Sequence, residues 1–284
     1  MATELRGAPV AKALTEQLVT RVAALKDKGV EPTLAIVRVG EREDDLSYER
    51  AAEKRMAAVG VDVIKYVLPG DCTQDELMAV IEQVNTDDGI HGCLMFRPLP
   101  KTLDEAAACA ALSPAKDVDC ITEGSLFGVF ANRPIGFAPC TAEAVIEVLD
   151  HYGYDLTGAN VTVVGRSLVI GKPVSMMLQA RNATVTMCHT RTRDLPAECR
   201  KAEVLVVAAG HIGTVGPDAV SEGQTVIDVG INWDEAAGKL CGDVSFDEVE
   251  PKVGAITPVP GGVGSVTTAV LAQHVVEAAE RTLG

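Results

Sequence analysis

The stretch VTVVGRSLVIGKPVSMML, residues 161–178, has the order strand, glycine-rich turn, helix. Gly165 permits a tight turn after the β-branched run, and Gly171 opens a helix that carries Pro173 in its first turn. Free N–H groups at such a helix start suit a pyrophosphate. Because the spacing is G-x-S-x-x-x-G and not G-x-G-x-x-G, the stretch alone does not separate a dinucleotide site from an ordinary α/β turn.

Strand-like and helix-like segments alternate on both sides of this stretch, which predicts parallel sheets flanked by helices. Thr73 followed by Glu76 predicts a capping box at one helix start. The predicted strands are 33–40, 61–68, 89–96, 160–165, 183–189, 203–210 and 224–230, and the predicted helices are 44–59, 73–85, 141–153, 171–182 and 263–281. We therefore predict a two-lobed α/β protein, with one domain at 1–140, a second at 141–265, and a C-terminal helix, 266–284, that returns to the first lobe.

The composition excludes several classes of protein. A formal net charge of −15 over 284 residues repels phosphate backbones, which argues against a nucleic-acid partner. The sequence contains no apolar run near the roughly 18 to 20 residues of a membrane span, and MATELRGAPV lacks the apolar core of a signal peptide. Eight cysteines without a C-x-x-C pair predict buried thiols in a reducing compartment and neither disulfides nor a metal site. We therefore expect a cytoplasmic protein without a membrane partner.

The end of the strand at 183–189 bears on the choice of cofactor. A site that prefers NAD usually has an acidic residue about 20 residues after the glycine-rich turn. This chain has CHTRTR at 188–193 and no acid before Asp194. Thr190 and Arg191 could hold a 2′-phosphate, with Arg166 adding a second charge, which favours NADP over NAD. A solvated basic loop is the alternative, and NAD remains possible.

Motifs along nearly the whole chain resemble one family. They are 163–192, PAKDVDC at 114–120, VIDVGIN at 226–232, KLCGDVSF at 239–246 and ITPVPGGVGSVTTAVL at 256–271. In order and spacing they are similar to the methylenetetrahydrofolate dehydrogenase/cyclohydrolases, often called FolD. The resemblance implies an N-terminal catalytic domain, a Rossmann-like NAD(P)-binding domain, a cleft between them and a homodimer. It also implies oxidation of 5,10-methylenetetrahydrofolate to 5,10-methenyltetrahydrofolate and, in most members, hydrolysis to 10-formyltetrahydrofolate.

The resemblance also implies roles for individual residues. It assigns the ring of Tyr48 to stacking against the folate and the carboxylate of Asp119 to the N–H donors of the pterin, which makes both catalytic candidates. The other implied contacts to tetrahydrofolate derivatives are Phe96, Pro98, Leu99, Pro260, Gly261 and Gly262. The implied cofactor contacts are Gly165, Arg166, Ser167, Ile170, Gly171, Pro173, His189, Thr190, Arg191, Ala209, Gly210, Ile231 and Thr267.

The chain departs from the family where hydrolysis would be catalysed. The family pattern Tyr-x-x-x-Lys places an acid–base Lys at position 52, where this chain has Ala52. The Gln that hydrogen-bonds this Lys in the family is Phe96 here. Hydride transfer needs mainly positioning, whereas hydrolysis needs a proton to be moved. The two replacements therefore predict a monofunctional dehydrogenase.

Nearby bases could substitute for the missing Lys, which leaves alternatives open. On a helix, Arg50 and Lys54 lie on another face than Ala52, and Arg55 lies about 10 Å along the axis from Tyr48. Arg97 could reach the site through a shift at the RPLP turn. A bifunctional enzyme and a non-catalytic folate- or nucleotide-binding protein are the alternatives. Further departures at the folate side are Cys120, Ala142, Ala144, Ser265 and Val266.

Overall fold

The structure, a computed structural model, describes residues 2–235 and 237–284. Its strands are β1 Thr3–Glu4, β2 Thr33–Val39, β3 Asp62–Leu68, β4 Gly92–Met95, β5 Asn160–Val164, β6 Thr184–Cys188, β7 Val204–Val207, β8 Thr225–Asp228, β9 Asn232–Asp234, β10 Lys239–Cys241 and β11 Ala255–Ile256. Its α-helices are α1 Gly7–Lys26, α2 Glu43–Val59, α3 Gln74–Thr86, α4 Glu105–Ala111, α5 Glu123–Ala131, α6 Cys140–His151, α7 Gly171–Ala180, α8 Leu195–Arg200, α9 Phe246–Val249 and α10 Thr267–Arg281. Short 3₁₀ turns are Pro114–Lys116 and Val263–Ser265.

The predicted strands and helices form with their predicted types, and their ends shift by a few residues. The capping box of α3 is confirmed, because Thr73 Oγ1 accepts from the Glu76 N–H at 3.3 Å and Glu76 Oε2 accepts from the Thr73 N–H at 2.7 Å. The prediction omitted helix α1. Its signal was present as buried apolar residues at helical spacing, namely Val10, Leu14, Leu18, Val22 and Leu25.

Within the described residues the chain divides into two compact units, and the first comprises Met1–Lys12 and Thr141–Thr267. The described part of this unit contains a six-stranded sheet in the order β1-β11-β8-β7-β5-β6, and its strand pairs are parallel. Strands β7 and β8 are buried along their whole length, as expected for parallel strands covered on both faces. Because β5, β6 and β7 are neighbours, their carboxyl ends meet at one edge of the sheet.

The second unit comprises Ala13–Cys140 and Thr268–Gly284. Its described residues include a parallel sheet in the order β3-β2-β4, whose central strand β2 is fully buried. Helix α10 packs in this unit: His274 Nδ1 lies 2.8 Å from the Val118 carbonyl oxygen, and Glu280 pairs with Arg21 of α1 at 2.6 Å. The predicted α/β fold with a returning C-terminal helix is therefore confirmed.

The first residues of the chain differ from the predicted domain boundary. Residues up to Lys12 belong to the first unit, whereas the sequence placed them with residues 13–140. The cause is the pairing of β1 with β11, in which Thr3 lies opposite Ala255 and Glu4 opposite Ile256. A two-residue strand carries no periodicity, so the sequence could not indicate this pairing. The functions assigned to the two domains stay predictions.

The lengths of the helices and the state of the cysteines bear on the class of protein. No helix in the part of the chain that the structure describes is long and apolar enough to cross a membrane. The cysteines are free thiols, most of them buried, and burial raises the pKa of Cys93 to about 12. Buried thiols with raised pKa values are unreactive, as expected for small apolar core residues.

Candidate functional site

A cavity of about 560 Å³ lies at the carboxyl ends of β5, β6 and β7 in the first unit. Doubly wound α/β folds bind nucleotides in such a crevice. The cavity is lined by the predicted cofactor residues Gly165, Arg166, Ser167, His189, Thr190, Ala209 and Gly210, and also by Val164, Leu195, Ala208, His211 and Thr214. The fold thus gathers much of the predicted cofactor set around one cavity, and the contacts of these residues to a cofactor stay predictions.

The glycine-rich turn after β5 has room for no side chain at two positions. Gly165 has a φ of 137°, and a Cβ there would lie 2.2 Å from the Ala208 carbonyl oxygen. A Cβ on Gly171 would lie 2.3 Å from the Gly165 carbonyl oxygen. Glycine at both positions therefore lets the turn pack directly against the backbone of Ala208 and of Gly165.

Ser167 caps the start of α7, which the sequence did not predict. Its Oγ accepts from the N–H of Ile170 at 3.0 Å and from the N–H of Gly171 at 3.4 Å. These N–H groups were expected to be free for a pyrophosphate, but they donate to the serine hydroxyl. A serine in the G-x-S turn, three residues before Ile170, is the local signal of this cap.

Some predicted cofactor residues lie outside the cavity lining. Pro173 is buried in the first turn of α7, and Thr267 is buried with its hydroxyl donating to the Gly264 carbonyl at 3.1 Å. The predicted cofactor contacts of both residues stay predictions. Arg191 is exposed next to Thr190, and its N–H donates to His189 Nδ1 at 3.1 Å. Arg191 thus follows the lining residue Thr190 in the chain, and its contact to a 2′-phosphate stays a prediction.

A second cavity, of about 240 Å³, also lies within the first unit. It is lined by Ile231 and by the segment from Pro258 to Ser265, which includes the predicted folate contacts Pro260, Gly261 and Gly262. Gly261 has a φ of 105°, which side-chain-bearing residues rarely adopt. The fold thus joins three predicted folate residues and one predicted cofactor residue around one cavity.

Two buried aspartates organise the loops around both cavities, and the sequence did not single out either one. Asp243 is fully buried and accepts hydrogen bonds from the N–H groups of Ala209, Gly210 and His211. Asp228, at the end of β8, accepts from the N–H groups of Gly230, Asp243 and Val244, each at 3.0 Å. Their signals were the Asp in VIDVGIN and the Asp in KLCGDVSF, which match the family motifs.

The pH dependence of stability should report on Asp228. Burial raises the pKa of this carboxyl to about 6, against the opposing hydrogen bonds from Asp243, Val244 and Gly230. Since its folded-state pKa lies above the unfolded value of about 3.9, its favourable contribution is complete below that value and is lost as the pH rises through 6. From pH 5 to 7.5 we expect it to lower the free energy of unfolding by about 1 kcal/mol.

Urea denaturation of the unchanged chain and of Asp228→Asn at pH 5 and 7.5 checks this expectation. Asn does not titrate, so the destabilisation caused by the substitution should be about 1 kcal/mol smaller at pH 7.5 than at pH 5. Asp218→Asn changes an exposed carboxylate of the same unit and serves as the control. Equal pH dependence in all three proteins would contradict the assignment.

In the second unit, Tyr48 and Phe96 contact each other. Their ring centroids are 6.0 Å apart and the planes are nearly perpendicular, an edge-to-face geometry that aromatic pairs prefer. Ala52 lies one turn after Tyr48 on the buried face of α2 and is fully inaccessible to solvent. Position 52 therefore has no ionisable group, and Phe96 packs an aromatic ring against Tyr48.

Arg50 and Lys54 lie on another face of α2 than Ala52, as predicted. Both residues are exposed. Arg55 is half-buried and donates to the Thr15 hydroxyl at 2.6 Å and the Thr268 hydroxyl at 3.4 Å. Arg55, about one turn after Ala52, thus hydrogen-bonds two neutral hydroxyl groups.

Buried Glu49, on the same face as Ala52, belongs to an ion-pair network. Its carboxylate pairs with Arg38 of β2 at 2.8 Å and with Lys65 of β3 at 3.3 Å. Burial acts to raise the pKa of Glu49, but the two cations outweigh it and hold that pKa below its usual value. This network fastens α2 to the sheet and leaves Glu49 charged, which makes it a poor proton donor.

The turn after β4 places Arg97, Pro98 and Leu99. The Arg97–Pro98 peptide bond is cis, and Pro98 is exposed whereas Leu99 is buried. Arg97 lies 3.8 Å from Glu105, which also accepts from the Leu99 N–H at 2.7 Å. Arg97 therefore has a carboxylate partner, and a guanidinium group is in general unsuited to accepting a proton.

Asp119 is half-buried and precedes Cys120, which stands where the family pattern has Gly. Its Oδ1 accepts from the Cys140 N–H at 3.1 Å, and burial raises the pKa of the carboxyl above its usual range. Cys120 has a φ of 59°, in the left-handed region that favours glycine. Asp117, in contrast, caps a turn through the N–H groups of Ile121 and Thr122. Asp117 thus uses both carboxyl oxygens within its own turn, whereas the folate contact of Asp119 stays a prediction.

Comparisons with known proteins relate the whole chain to one family. A model described as tetrahydrofolate dehydrogenase/cyclohydrolase, catalytic domain, matches residues 5–119, and the NAD(P)-binding domain of that family matches residues 139–283. The bifunctional protein FolD of Carboxydothermus hydrogenoformans is 52% identical over 281 residues, 99% of this chain and 98% of that protein.

Solved structures agree with the sequence relatives. The bifunctional enzyme FolD, a methylenetetrahydrofolate dehydrogenase/cyclohydrolase, from Campylobacter jejuni has a TM-score of 0.95 at 36% identity, covering 99% of this chain and 100% of that chain. The Trypanosoma brucei dehydrogenase-cyclohydrolase (FolD), complexed with NADP cofactor and inhibitor, has a TM-score of 0.91 at 34% identity, covering 99% of this chain and 98% of that chain. The names of all three relatives describe bifunctional enzymes.

Proposed function

The chain belongs to the tetrahydrofolate dehydrogenase/cyclohydrolase family, as its motifs predicted, and we propose that it oxidises 5,10-methylenetetrahydrofolate to 5,10-methenyltetrahydrofolate with NADP. The observation that carries this proposal is the match of both domain models, over residues 5–119 and 139–283. Such an enzyme acts in one-carbon metabolism. A homodimer in the cytoplasm, implied by the resemblance, stays a prediction.

The cavity of about 560 Å³ has features that suit a dinucleotide phosphate. Its glycine turn lets the backbone approach a pyrophosphate, and exposed Arg166 and Arg191 lie at the ends of β5 and β6. Guanidinium groups pair well with a 2′-phosphate. The NADP in the Trypanosoma brucei relative supports the same choice of cofactor.

In the proposed hydride transfer, the main task of the protein is to orient the folate and the nicotinamide relative to each other. Bound NADP supplies the hydride acceptor, and the folate nitrogens next to the methylene carbon stabilise the cation that remains. In this proposal Tyr48 offers its ring to the folate, and Asp119 accepts from the N–H donors of the pterin. Neither role needs the missing Lys, because positioning accounts for most of the rate of such a transfer.

The hydrolytic step has two candidate outcomes, each with its own support. The names of the relatives support a bifunctional enzyme that also hydrolyses the methenyl product. Ala52 and Phe96 instead favour a dehydrogenase alone, because no amine is available at position 52. If the chain hydrolyses the product, the proton transfer must use another group than that amine.

One experiment tests the proposal and separates these outcomes. Purified protein receives 5,10-methylenetetrahydrofolate with NADP or with NAD, and reduced cofactor and the methenyl chromophore are followed separately. The protein is then given methenyltetrahydrofolate alone, and its loss is compared with the spontaneous rate. Reduction with NADP is expected; accelerated methenyl loss supports the bifunctional alternative, and a spontaneous rate supports the monofunctional one. Absence of reduction with either cofactor overturns the proposal in favour of a binding protein.

Arg191→Ala should weaken the preference for NADP. Loss of a charge-assisted hydrogen bond to the 2′-phosphate costs about 1.5 to 3 kcal/mol, which lowers kcat/KM for NADP roughly 10- to 100-fold and leaves NAD nearly unaffected. Arg193→Ala removes an equal charge from the same exposed loop and should have a much smaller effect. Equal losses with both cofactors would show that Arg191 does not recognise the 2′-phosphate.

A further inference from the structure

We propose that Asp243 is a positioning residue for the nicotinamide cofactor: its carboxylate fixes the backbone of Ala209–His211, which forms one wall of the 560 Å³ cavity. This inference rests on the proposed function, since it assigns how the same cavity is shaped. Asp243 does not line the cavity, so it acts through the loop and not by contact.

The carboxylate is bound on both oxygens. Oδ2 accepts from the N–H groups of Ala209 at 2.6 Å and Gly210 at 2.8 Å. Oδ1 accepts from the N–H of His211 at 2.9 Å and from Nδ2 of Asn232 at 2.9 Å. Three consecutive N–H groups around one anion form a concave anion-binding backbone, and here a side chain of the same chain fills it.

The loop that is held in this way also accepts a hydrogen bond at its end, where Thr214 Oγ1 donates to the His211 carbonyl oxygen at 2.7 Å. It follows the short strand β7, and Gly210 adopts a φ of 68° with nothing within 4 Å of where a Cβ would lie. A glycine in open space contributes no packing, so the backbone there depends on its hydrogen bonds. Charge-assisted bonds that N–H groups donate to a fully buried carboxylate are stronger than bonds between neutral groups, and water does not compete with them.

The surroundings of Asp243 are built to hold it in place. Its own N–H donates to Asp228 Oδ1 at 3.0 Å, so a second buried carboxylate fixes the backbone that carries it. A Cβ on Gly230 would lie 2.3 Å from Asp243 Cγ, and one on Gly242 would lie 1.9 Å from Asp228 Oδ2. Glycine at both positions is therefore required for the two carboxylates to occupy these places.

The same carboxylate binds segments that line two cavities of the first unit, those of about 560 and 240 Å³. Ala209, Gly210 and His211 line the larger cavity, while Asn232 follows Ile231 of the smaller one. Asp243 binds both segments through its two oxygens. A change at Asp243 should therefore alter the cofactor site without removing any group that lines it.

Asp243→Asn tests the inference with almost no change in volume. The amide NH₂ of the new asparagine would face two N–H donors. Two of the four hydrogen bonds that Asp243 accepts would therefore be replaced by repulsive donor–donor contacts. We expect the dissociation constant for NADPH, measured by its fluorescence, and the KM for NADP to rise about 10-fold or more, with kcat at saturating NADP within about 3-fold. Hydrogen exchange should accelerate in the peptide that contains residues 209–211. Asp218→Asn, which changes an exposed carboxylate of the same unit, should bind NADPH as the unchanged chain does.

Each outcome decides the inference. A folded Asp243→Asn chain that binds NADPH within 2-fold of the unchanged chain overturns it, and so does a fall in kcat without a rise in KM. If Asp243→Asn does not fold, Asn232→Ala removes one of the four hydrogen bonds, and a roughly 3-fold weaker NADPH affinity supports the inference while an unchanged affinity overturns it. If the unchanged chain itself binds no NADPH, the proposed function fails, and this inference with it.

Discussion

A chain that carries Ala52→Lys together with Phe96→Gln should hydrolyse 5,10-methenyltetrahydrofolate on the order of 100-fold faster than the unchanged chain. Ala52 lies one helical turn after Tyr48 on the buried face of α2, and the Phe96 ring packs against Tyr48. The double substitution supplies an amine for proton transfer and an amide to hydrogen-bond it. The loss of methenyl absorbance measures the gain, and cofactor reduction is followed in the same samples.

The control for this gain is Ala51→Lys, which adds the same charge on the exposed face of α2. It should leave hydrolysis at the rate of the unchanged chain. Ala52→Lys alone should gain less, because position 52 is buried and Phe96 offers no hydrogen-bond acceptor to an ammonium group. If the unchanged chain already hydrolyses the methenyl compound far above the spontaneous rate, the bifunctional alternative is correct and the monofunctional prediction is wrong.

Asp119→Asn should lower kcat/KM for 5,10-methylenetetrahydrofolate by about 100-fold or more. A carboxylate that accepts two N–H donors of a pterin loses one charge-assisted bond and turns the other repulsive when it becomes an amide, at about 1.5 to 3 kcal/mol each. Oδ1 of Asp119 is already oriented by the Cys140 N–H, so the side chain is held in place before a ligand arrives. Initial rates of NADP reduction at varied folate concentration measure the effect.

Two controls separate a folate role of Asp119 from a structural one. Asp88→Asn changes an exposed carboxylate of the same unit and should leave kcat/KM unaltered. NADPH affinity of Asp119→Asn should equal that of the unchanged chain, because the cofactor cavity is formed by the other unit. A normal kcat/KM in Asp119→Asn would refute the implied role, and a loss of both activities and of NADPH affinity would indicate a general defect in folding.

Local sequence patterns were sufficient for most elements of the fold. Strand β2 is apolar along its length and α3 has a capping box, and both features depend on residues close together in the chain. Helix α1 was omitted although its apolar residues repeat at helical spacing. The pairing of β1 with β11 joins residues about 250 positions apart, and no local pattern indicates such a partner.

Some features of the candidate site also follow from local sequence, whereas others depend on residues far apart in the chain. The sequence by itself determined the glycine turn at Gly165, the absence of an acid before Asp194 and the replacement of an amine by Ala52, because each is a matter of residue type at a fixed spacing. Only the tertiary structure decided that Asp243 binds the loop at 209–211 and that Ser167 occupies the first N–H groups of α7. The physical reason is that a buried carboxylate takes whichever donors the packed strands bring to it, and this depends on strand order and register rather than on its neighbours in sequence.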